Sequence, residues 1–325
     1  MTTRHLIARR LATAATAVLL AVSLSACSGN TPSTSAAGGA STSGAGKGTF
    51  NSGHAEYDAI INAGPVAGAD AIAGNKWASA VKAAGTLRLG GTQTSQLFSL
   101  LDPASNKVVG FDAGLGQLLS RYILGDVNTT FSLTTTPTRE QMILSNQVDA
   151  VIATYSITAP RMEKINFAGP YYQSQAGILV KADNTTINSV NDLAGKKVAT
   201  QQGSTGVTTL QAAAPQATIV ELPDDAQCVA AVESGQVDAY VIDQTLLLSG
   251  LLTNKNVKIV GDPFGPVDAY GIGVSKDSDG KDFINQFLTA IENDGTWVQL
   301  WKATIQAKTG VTQVASPPAI GSAGN

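Results

Sequence analysis

The sequence predicts an α/β protein of two similar lobes around a cleft, and two observations carry that prediction. A short phrase is written twice: Ser145-Asn146-Gln147-Val148-Asp149-Ala150-Val151 returns 89 positions later as Ser234-Gly235-Gln236-Val237-Asp238-Ala239-Tyr240. Between residues 86 and 308, apolar runs of strand length alternate with helical spacings, the pattern of parallel sheets covered by helices. Each copy of the phrase reads as a helix end, a turn and the start of an apolar strand. The turn residue is Asn146 in one copy and Gly235 in the other, the two residue types that accept a left-handed conformation after a helix. Five residues past each Asp the copies diverge, to Thr154 and Asp243. These occupy matching strand ends, where open parallel sheets bind ligands.

Residues 1–26 read as a targeting segment. Arg4, Arg9 and Arg10 form a positive head, and the run from Leu11 to Val22 is too short and too Ala-rich for a comfortable membrane span. Leu24-Ser25-Ala26-Cys27 resembles the bacterial lipobox, which makes Cys27 the expected lipidated start of the mature chain. An ordinary secretory signal with an incidental Cys is the alternative. Residues 27–54 are mostly Ser, Thr, Gly and Ala and read as a flexible linker, since such a stretch cannot bury a core. About 20 residues of coil would hold the folded part roughly 25 Å from the anchor.

Losing three Arg and no acid takes the 21 basic residues to 18, against 24 acidic ones. No basic cluster remains, which argues against a nucleic-acid partner. Histidine is nearly absent, with only His5 and His54 in the chain. That removes the usual general base, the usual metal ligand and any His-based triad, so no catalytic, metal or cofactor site is expected. Cys228 is the one cysteine besides Cys27, which leaves no disulfide framework. It lies in a helical pattern and is expected to be a small buried apolar residue.

Residues 55–84 form a helical lead-in with Trp77, Ala78, Val81 and Ala84 as its apolar stripe. Strands are expected at Thr86–Gly90, 127–133, 149–153, 177–180, 197–200, 217–220, 239–242 and 270–274. Helices are expected from Asp112, over 138–145 and 160–164, after Thr205, over 225–234, through Leu252, and over 281–292 and 295–308. The order assigns residues 85–172 and 271–310 to one lobe and 173–270 to the other. Two crossings between lobes then form a hinge. Residues 311–325, with Ser316-Pro317-Pro318, read as a disordered tail.

Three places could hold a ligand. In Thr154-Tyr155-Ser156-Ile157-Thr158-Ala159-Pro160-Arg161 a strand ends in hydroxyls, and a helix starts with Pro at its favoured early position. Ser156, Thr158 and Arg161 suit a carboxylate, which Arg takes bidentately. Equally, Thr158 could simply cap the helix and Arg161 be a solvated surface charge. Gln202-Gly203-Ser204-Thr205-Gly206 is a second strand-to-helix turn able to offer N–H groups and a hydroxyl to an anion; Ser204 as a plain helix cap is the alternative. It lacks the Lys and the length of a P-loop. Asp243 could accept a ligand ammonium, or be another N-cap. An anion clamp, a second anion contact and a cation acceptor together match the ends of an amino acid.

Further phrases carry a resemblance: Gly85-Thr86-Leu87-Arg88-Leu89-Gly90, Val109-Gly110-Phe111-Asp112-Ala113-Gly114-Leu115, Ser156-Ile157-Thr158-Ala159-Pro160-Arg161, Phe167-Ala168-Gly169-Pro170-Tyr171-Tyr172, Asp192-Leu193-Ala194-Gly195-Lys196-Lys197-Val198 and Tyr270-Gly271-Ile272-Gly273-Val274. In this order, over about two thirds of the chain, they resemble the family 3 extracellular solute-binding proteins, the polar amino acid receptors of ABC importers. The resemblance implies the type II periplasmic-binding-protein-like fold, in which each lobe is a mixed, mostly parallel sheet flanked by helices and two strands form the hinge. It also implies roles. The carboxylate-binding Arg falls on Arg161, supporting hydroxyls on Ser156 and Thr154, the Thr of the Gly-x-Thr turn on Thr205 and the amine-binding acid on Asp243. Phe98 is the nearest match to an aromatic that stacks on the ligand.

Departures bear on specificity. The first loop, Thr92 to Phe98, lacks the Pro-Pro-Phe often seen there, and Asn146 replaces a usual Gly. Glu221-Leu222-Pro223-Asp224-Asp225-Ala226-Gln227-Cys228 resembles the glutamate- and glutamine-binding branch. No further Arg or Lys is evident near the proposed pocket to neutralise an acidic side chain, which tilts the expectation toward glutamine or a mixed specificity. The resemblance thus implies a monomeric, non-enzymatic lipoprotein on the outer face of the cell membrane. Its lobes would close on an amino acid and present it to an ABC permease. A receptor feeding a sensor kinase, or a prephenate- or arogenate-dehydratase-like (cyclohexadienyl-dehydratase-like) lyase on the same scaffold, are the alternatives.

Overall fold

A computed structural model describes residues 49–323. The expected signal segment, Cys27 and most of the linker lie outside the described residues. The described chain opens with α1 (Ala55–Ala63), α2 (Ala69–Ala73) and α3 (Lys76–Ala84), followed by β1 (Leu87–Gly91), β2 (Thr94–Ser95), β3 (Ser99–Asp102), β4 (Lys107–Val109) and α4 (Phe111–Leu124). Next come β5 (Thr129–Leu133), α5 (Arg139–Leu144), β6 (Ala150–Val151), α6 (Ala159–Met162) and the long β7 (Ile165–Lys181). After it lie β8 (Lys197–Gln201), α7 (Thr205–Ala213), β9 (Thr218–Leu222), α8 (Asp225–Glu233), β10 (Ala239–Asp243) and α9 (Gln244–Leu251). The second long strand, β11 (Val257–Ser275), leads into α10 (Gly280–Asn293), α11 (Thr296–Trp301), a π-helical turn Lys302–Gln306 and α12 (Ala307–Thr309).

Eight strands join in the order β5-β1-β6-β11-β7-β10-β8-β9. The outer trios β5-β1-β6 and β10-β8-β9 are each parallel, and β7 and β11 run antiparallel between them. Each lobe is therefore a mixed, mostly parallel sheet, and the β7–β11 pair is the two-strand hinge. Buried side chains change allegiance along the pair. Tyr172 and Tyr270 belong to the core formed with α1, α4, α10 and α11, whereas Ala176, Ile178 and Val180 belong to the core beneath α7. Pro170, which lacks a ladder donor, sits where the register slips between Tyr270 and Ile272, the bulge setting in which strands tolerate Pro.

The repeated phrase has a structural cause. Asn146 (φ 55°) and Gly235 (φ 75°) are both left-handed. In each copy the turn residue and its successor close the helix with the same two main-chain bonds, Asn146 N–H to Ile143 O and Gln147 N–H to Met142 O, then Gly235 N–H to Val232 O and Gln236 N–H to Ala231 O. This is the Schellman pattern. The following acids then take an N–H at the start of the neighbouring parallel strand: Asp149 Oδ2 accepts from Arg88 N and Asp238 Oδ2 from Lys197 N, both at 2.8 Å.

The lead-in is part of the first lobe, for Tyr57 donates its hydroxyl to Gln117 Oε1 at 2.7 Å beneath α4. The small sheet β2-β3-β4, read in sequence only as a loop and turn, folds over the same helix. Residues 311–323, expected to be disordered, form no helix or strand. They are nonetheless docked: Ala315 and Ile320 pack on the first core, and Gly321 N–H donates to Gly169 O at 2.9 Å. Cys228 is buried as expected, and burial pushes its thiol up to about 12.

Gly110, at φ 131°, brings the start of α4 so close to the first loop that a Cβ there would sit 2.5 Å from the carbonyl of Phe98. Gly110→Ala is expected to cost about 2–3 kcal/mol and to lower Tm by roughly 5 °C or more, measured by calorimetric melting. An unchanged Tm would mean that this contact does not constrain the fold.

Candidate functional site

Strand ends and helix starts from both lobes converge on one cleft. A cavity of about 200 Å³ lies between the Thr134–Thr136 turn, Arg139 and Thr154 on one side and Gln201, Asp224 and Asp225 on the other. Beside it a smaller chamber of about 10 Å³ is lined by Thr136, Arg139, Thr154, Ser156, Gln201, Ser204, Thr205, Ile242, Asp243 and Leu246. The two share Thr136, Arg139, Thr154, Gln201 and Leu246, so they are parts of one site. Bonds cross the cleft: Thr136 Oγ1 donates to Gln201 Oε1 at 3.3 Å, Arg161 Nη2 to Gly203 O at 3.0 Å and Leu97 N to Ser249 Oγ at 3.3 Å.

Four of the six residues expected to bind ligand meet in the smaller chamber: Thr154, Ser156, Thr205 and Asp243. Thr154 adopts φ 42°, a conformation a Thr rarely takes without compensation. Its N–H donates to Asp112 Oδ2 at 2.8 Å, and Asp112 also accepts from the Tyr171 hydroxyl at 2.9 Å. Burial pushes Asp112 up to about 7, against these bonds and the pull of Arg139. Asp243 stands at the N-cap position of α9 yet does not cap it. Instead it accepts the Tyr270 hydroxyl at 2.6 Å. Ser204 does cap α7, taking Gly206 N–H at 3.2 Å, so both readings of that turn hold: a cap that also lines the cleft.

Arg161 lies at the edge. Its two Nη groups are held by the carbonyls of Ser156 (2.8 Å), which lines the chamber, and Gly203 (3.0 Å), next to the lining residue Ser204. It therefore ties the two turns together. The cation that lines both chambers is Arg139, which the sequence reading passed over. Only 4% exposed, it donates Nη1 to Ala153 O at 2.8 Å, and its Nε is buried without a hydrogen-bond partner. Its guanidinium carbon lies 3.8 Å from the centroid of the Tyr155 ring, and that of Arg161 lies 5.1 Å from the same ring. Burial first, then Arg161, works against the charge of Arg139. A guanidinium keeps its proton even so, which makes the site a demand for an anion. One signal was available in sequence: a basic residue in the first turn of a helix opposes the helix dipole and so needs another reason to be there.

The expectation for Phe98 is corrected. Its ring is 0% exposed and lines neither chamber. It packs edge-on against Tyr172 (5.4 Å), Tyr270 (6.3 Å) and Phe111 (6.4 Å) in the first core.

A profile of the bacterial extracellular solute-binding proteins, family 3, matches residues 87–305. The chain belongs to this family. It is similar to the ABC transporter glutamine-binding protein GlnH of Bacillus subtilis (strain 168), 33% identical over 215 residues that cover 65% of this chain and 78% of that protein. It is also similar to the glutamate-binding protein GluB of Corynebacterium glutamicum, 29% identical over 278 residues, 80% of this chain and 93% of that one. A crystal structure of the solute receptor for L-cysteine of Neisseria gonorrhoeae shares the fold, with TM-score 0.70 and 23% identity, covering 74% of this chain and 99% of that chain. As a family 3 protein, the chain is an amino-acid-binding component of ABC transport.

Phe98→Leu is expected to lower Tm by a few degrees, at a cost of about 1.5 kcal/mol. Amino acid affinity should stay within about threefold of the parent by calorimetry, because the ring touches core and not cleft. A large affinity loss with unchanged Tm would restore the stacking role.

Proposed function

We propose that the protein is the extracytoplasmic receptor of an ABC importer and captures an acidic amino acid, glutamate in preference to glutamine. The observation that carries this reading is Arg139, a buried guanidinium lining the cleft with an unpartnered Nε. A buried unsatisfied donor costs about 1–3 kcal/mol, and a carboxylate answers it with a stronger bond than an amide does. Arg139 supplies the second cation that the sequence reading did not find, and the tilt toward glutamine is reversed on that ground. The similarity to a glutamine-binding and a glutamate-binding protein supports the pair of candidates, and Arg139 favours one of them.

In this reading the α-carboxylate sits by Arg161, Ser156 and Thr205, the ammonium by Asp243, and the side-chain carboxylate reaches Arg139. The ligand touches both lobes at once only when they are closed, so its binding energy favours the closed form. That form is what a permease would recognise. No chemistry on the ligand is required, and the protein acts as a monomer that is not an enzyme. Cys27 carries the lipid that holds it at the outer face of the membrane.

Calorimetry with glutamate and glutamine tests the reading. Glutamate is expected to bind at least about tenfold more tightly, and Arg139→Gln to weaken glutamate by about 10- to 150-fold while affecting glutamine far less. Tighter binding of glutamine by the parent protein would overturn the choice of ligand. Arg161→Ala is expected to weaken both amino acids together, and near-parental affinity would remove Arg161 from the carboxylate clamp. Cys27→Ala is expected to move the protein from the membrane fraction to the soluble fraction on cell fractionation.

A further inference from the structure

The larger chamber contains a carboxylate that the reading above leaves without a task. Asp225, in the first turn of α8, lines that chamber and accepts the Tyr240 hydroxyl on Oδ1 at 2.9 Å. Tyr240, on β10, is 0% exposed and lines neither chamber. Its oxygen in turn receives Gln201 Nε2 at 3.0 Å. Gln201, at the end of β8, lines both chambers together with Arg139, and its Oε1 takes the Thr136 hydroxyl of the first lobe at 3.3 Å. One line of hydrogen bonds therefore runs from Asp225 through a buried tyrosine to a side chain that borders the ligand.

We propose that Asp225 is a positioning residue for ligand choice: through Tyr240 it holds the Gln201 amide with its oxygen toward the cleft, which tempers the preference for glutamate over glutamine. The proposal rests on the amino acid reading above and deepens it. The direction of the chain follows from counting donors. Tyr240 has one proton and two polar neighbours. An ionised carboxylate only accepts, so the proton goes to Asp225. The tyrosine oxygen is then left to accept, and only the NH2 end of Gln201 can donate to it. Oε1 must point the other way, into the space bordered by Arg139 and Thr136. An oxygen there welcomes the donor of a side-chain amide and repels a side-chain carboxylate. Arg139, with a full charge, still decides for glutamate, and Gln201 narrows the margin.

Removing the charge of Asp225 lets the chain reverse. A protonated Asp225, having taken one proton from solvent, donates to Tyr240, and Tyr240 donates to Gln201 Oε1. The NH2 of Gln201 then turns to the cleft, where the Thr136 hydroxyl accepts it. The charged and titratable groups around Asp225 are Asp224 and Cys228 from α8, Tyr240 from β10 and, across the larger chamber, Arg139 from α5. Burial, opposed by the Tyr240 bond and helped by Asp224, pushes Asp225 up to about 6. The preference for glutamate should therefore grow as pH falls from about 7.5 to about 5, where the ligand's own side chain is still mostly ionised. A ratio of the two affinities cancels whatever titrates against the parts that the two ligands share.

Calorimetric titration with glutamate and with glutamine, at pH 7.5 and at pH 5, gives that ratio for the parent protein, Asp225→Asn and Tyr240→Phe. The parent's ratio of glutamate to glutamine affinity is expected to rise about three- to tenfold at the lower pH. Both variants are expected to show a ratio about three- to tenfold above the parent's at pH 7.5, and to lose its pH dependence. Tyr240→Phe keeps the ring in its core and has no path to the ligand except through Gln201. A ratio shifted by Asp225→Asn and unmoved by Tyr240→Phe would overturn the proposal, because Asp225 would then act on the ligand itself. Equal loss of both affinities in the variants, with the ratio unmoved, would mark a merely structural role and overturn it too, as would a parent ratio that stays constant with pH. No binding of either amino acid by the parent protein would overturn the reading of the function and the proposal with it.

Discussion

The pairing of β7 with β11 is the constraint on which the rest depends. The two strands run antiparallel from Ile165 opposite Ser275 to Lys181 opposite Val257, and each passes from one core to the other. Whatever lies near the crossing is shared by both lobes. Tyr172 and Tyr270 stack there at 5.8 Å and close the first core. The Tyr270 hydroxyl reaches out of that core to Asp243 of the second lobe. Asp268, two residues earlier on the same strand, reaches Thr205. The hinge thus bonds directly to two residues that line the site, Asp243 and Thr205, and a change in its angle moves them.

On this frame the two halves are built alike and finished differently. In each, a Schellman turn ends a helix, and an Asp then secures the neighbouring parallel strand. Past the strand the needs diverge. In the first lobe Thr154 takes a left-handed conformation held by Asp112, and Arg139 and Arg161 approach one Tyr155 ring. In the second lobe the strand ends in a buried Asp243. One wall is cationic and the other anionic, and an amino acid is the small molecule whose own charges run the same way.

Much of this was legible in the sequence because it depends on local rules. The turns at Asn146 and Gly235, the alternation of strands and helices, and the strand-end positions of Thr154 and Asp243 follow from residue preferences over a few positions. Arg139 left only one faint signal, a basic residue against the dipole of a first helical turn, and otherwise looks like any solvated charge until the fold buries it. Asp268 was hidden for a similar reason: only the long β11 pairing carries it to Thr205. Phe98 was misplaced because an aromatic in a loop can face ligand or core. The close approach of Gly110 to its backbone, visible only in three dimensions, turns it inward. The length of β7 was missed because Pro170 reads as a break, and the bulge that accommodates it depends on the partner strand.

The central claim is that the cleft reads an amino acid by its charges, with anions held from the first lobe and the ammonium from the second. A crystal structure of the protein with glutamate bound tests it most directly. The account predicts a side-chain carboxylate oxygen about 3 Å from Arg139 Nε and the ammonium within about 3 Å of Asp243. A glutamate lying the other way round, or one that leaves Arg139 Nε without a ligand contact, would contradict it.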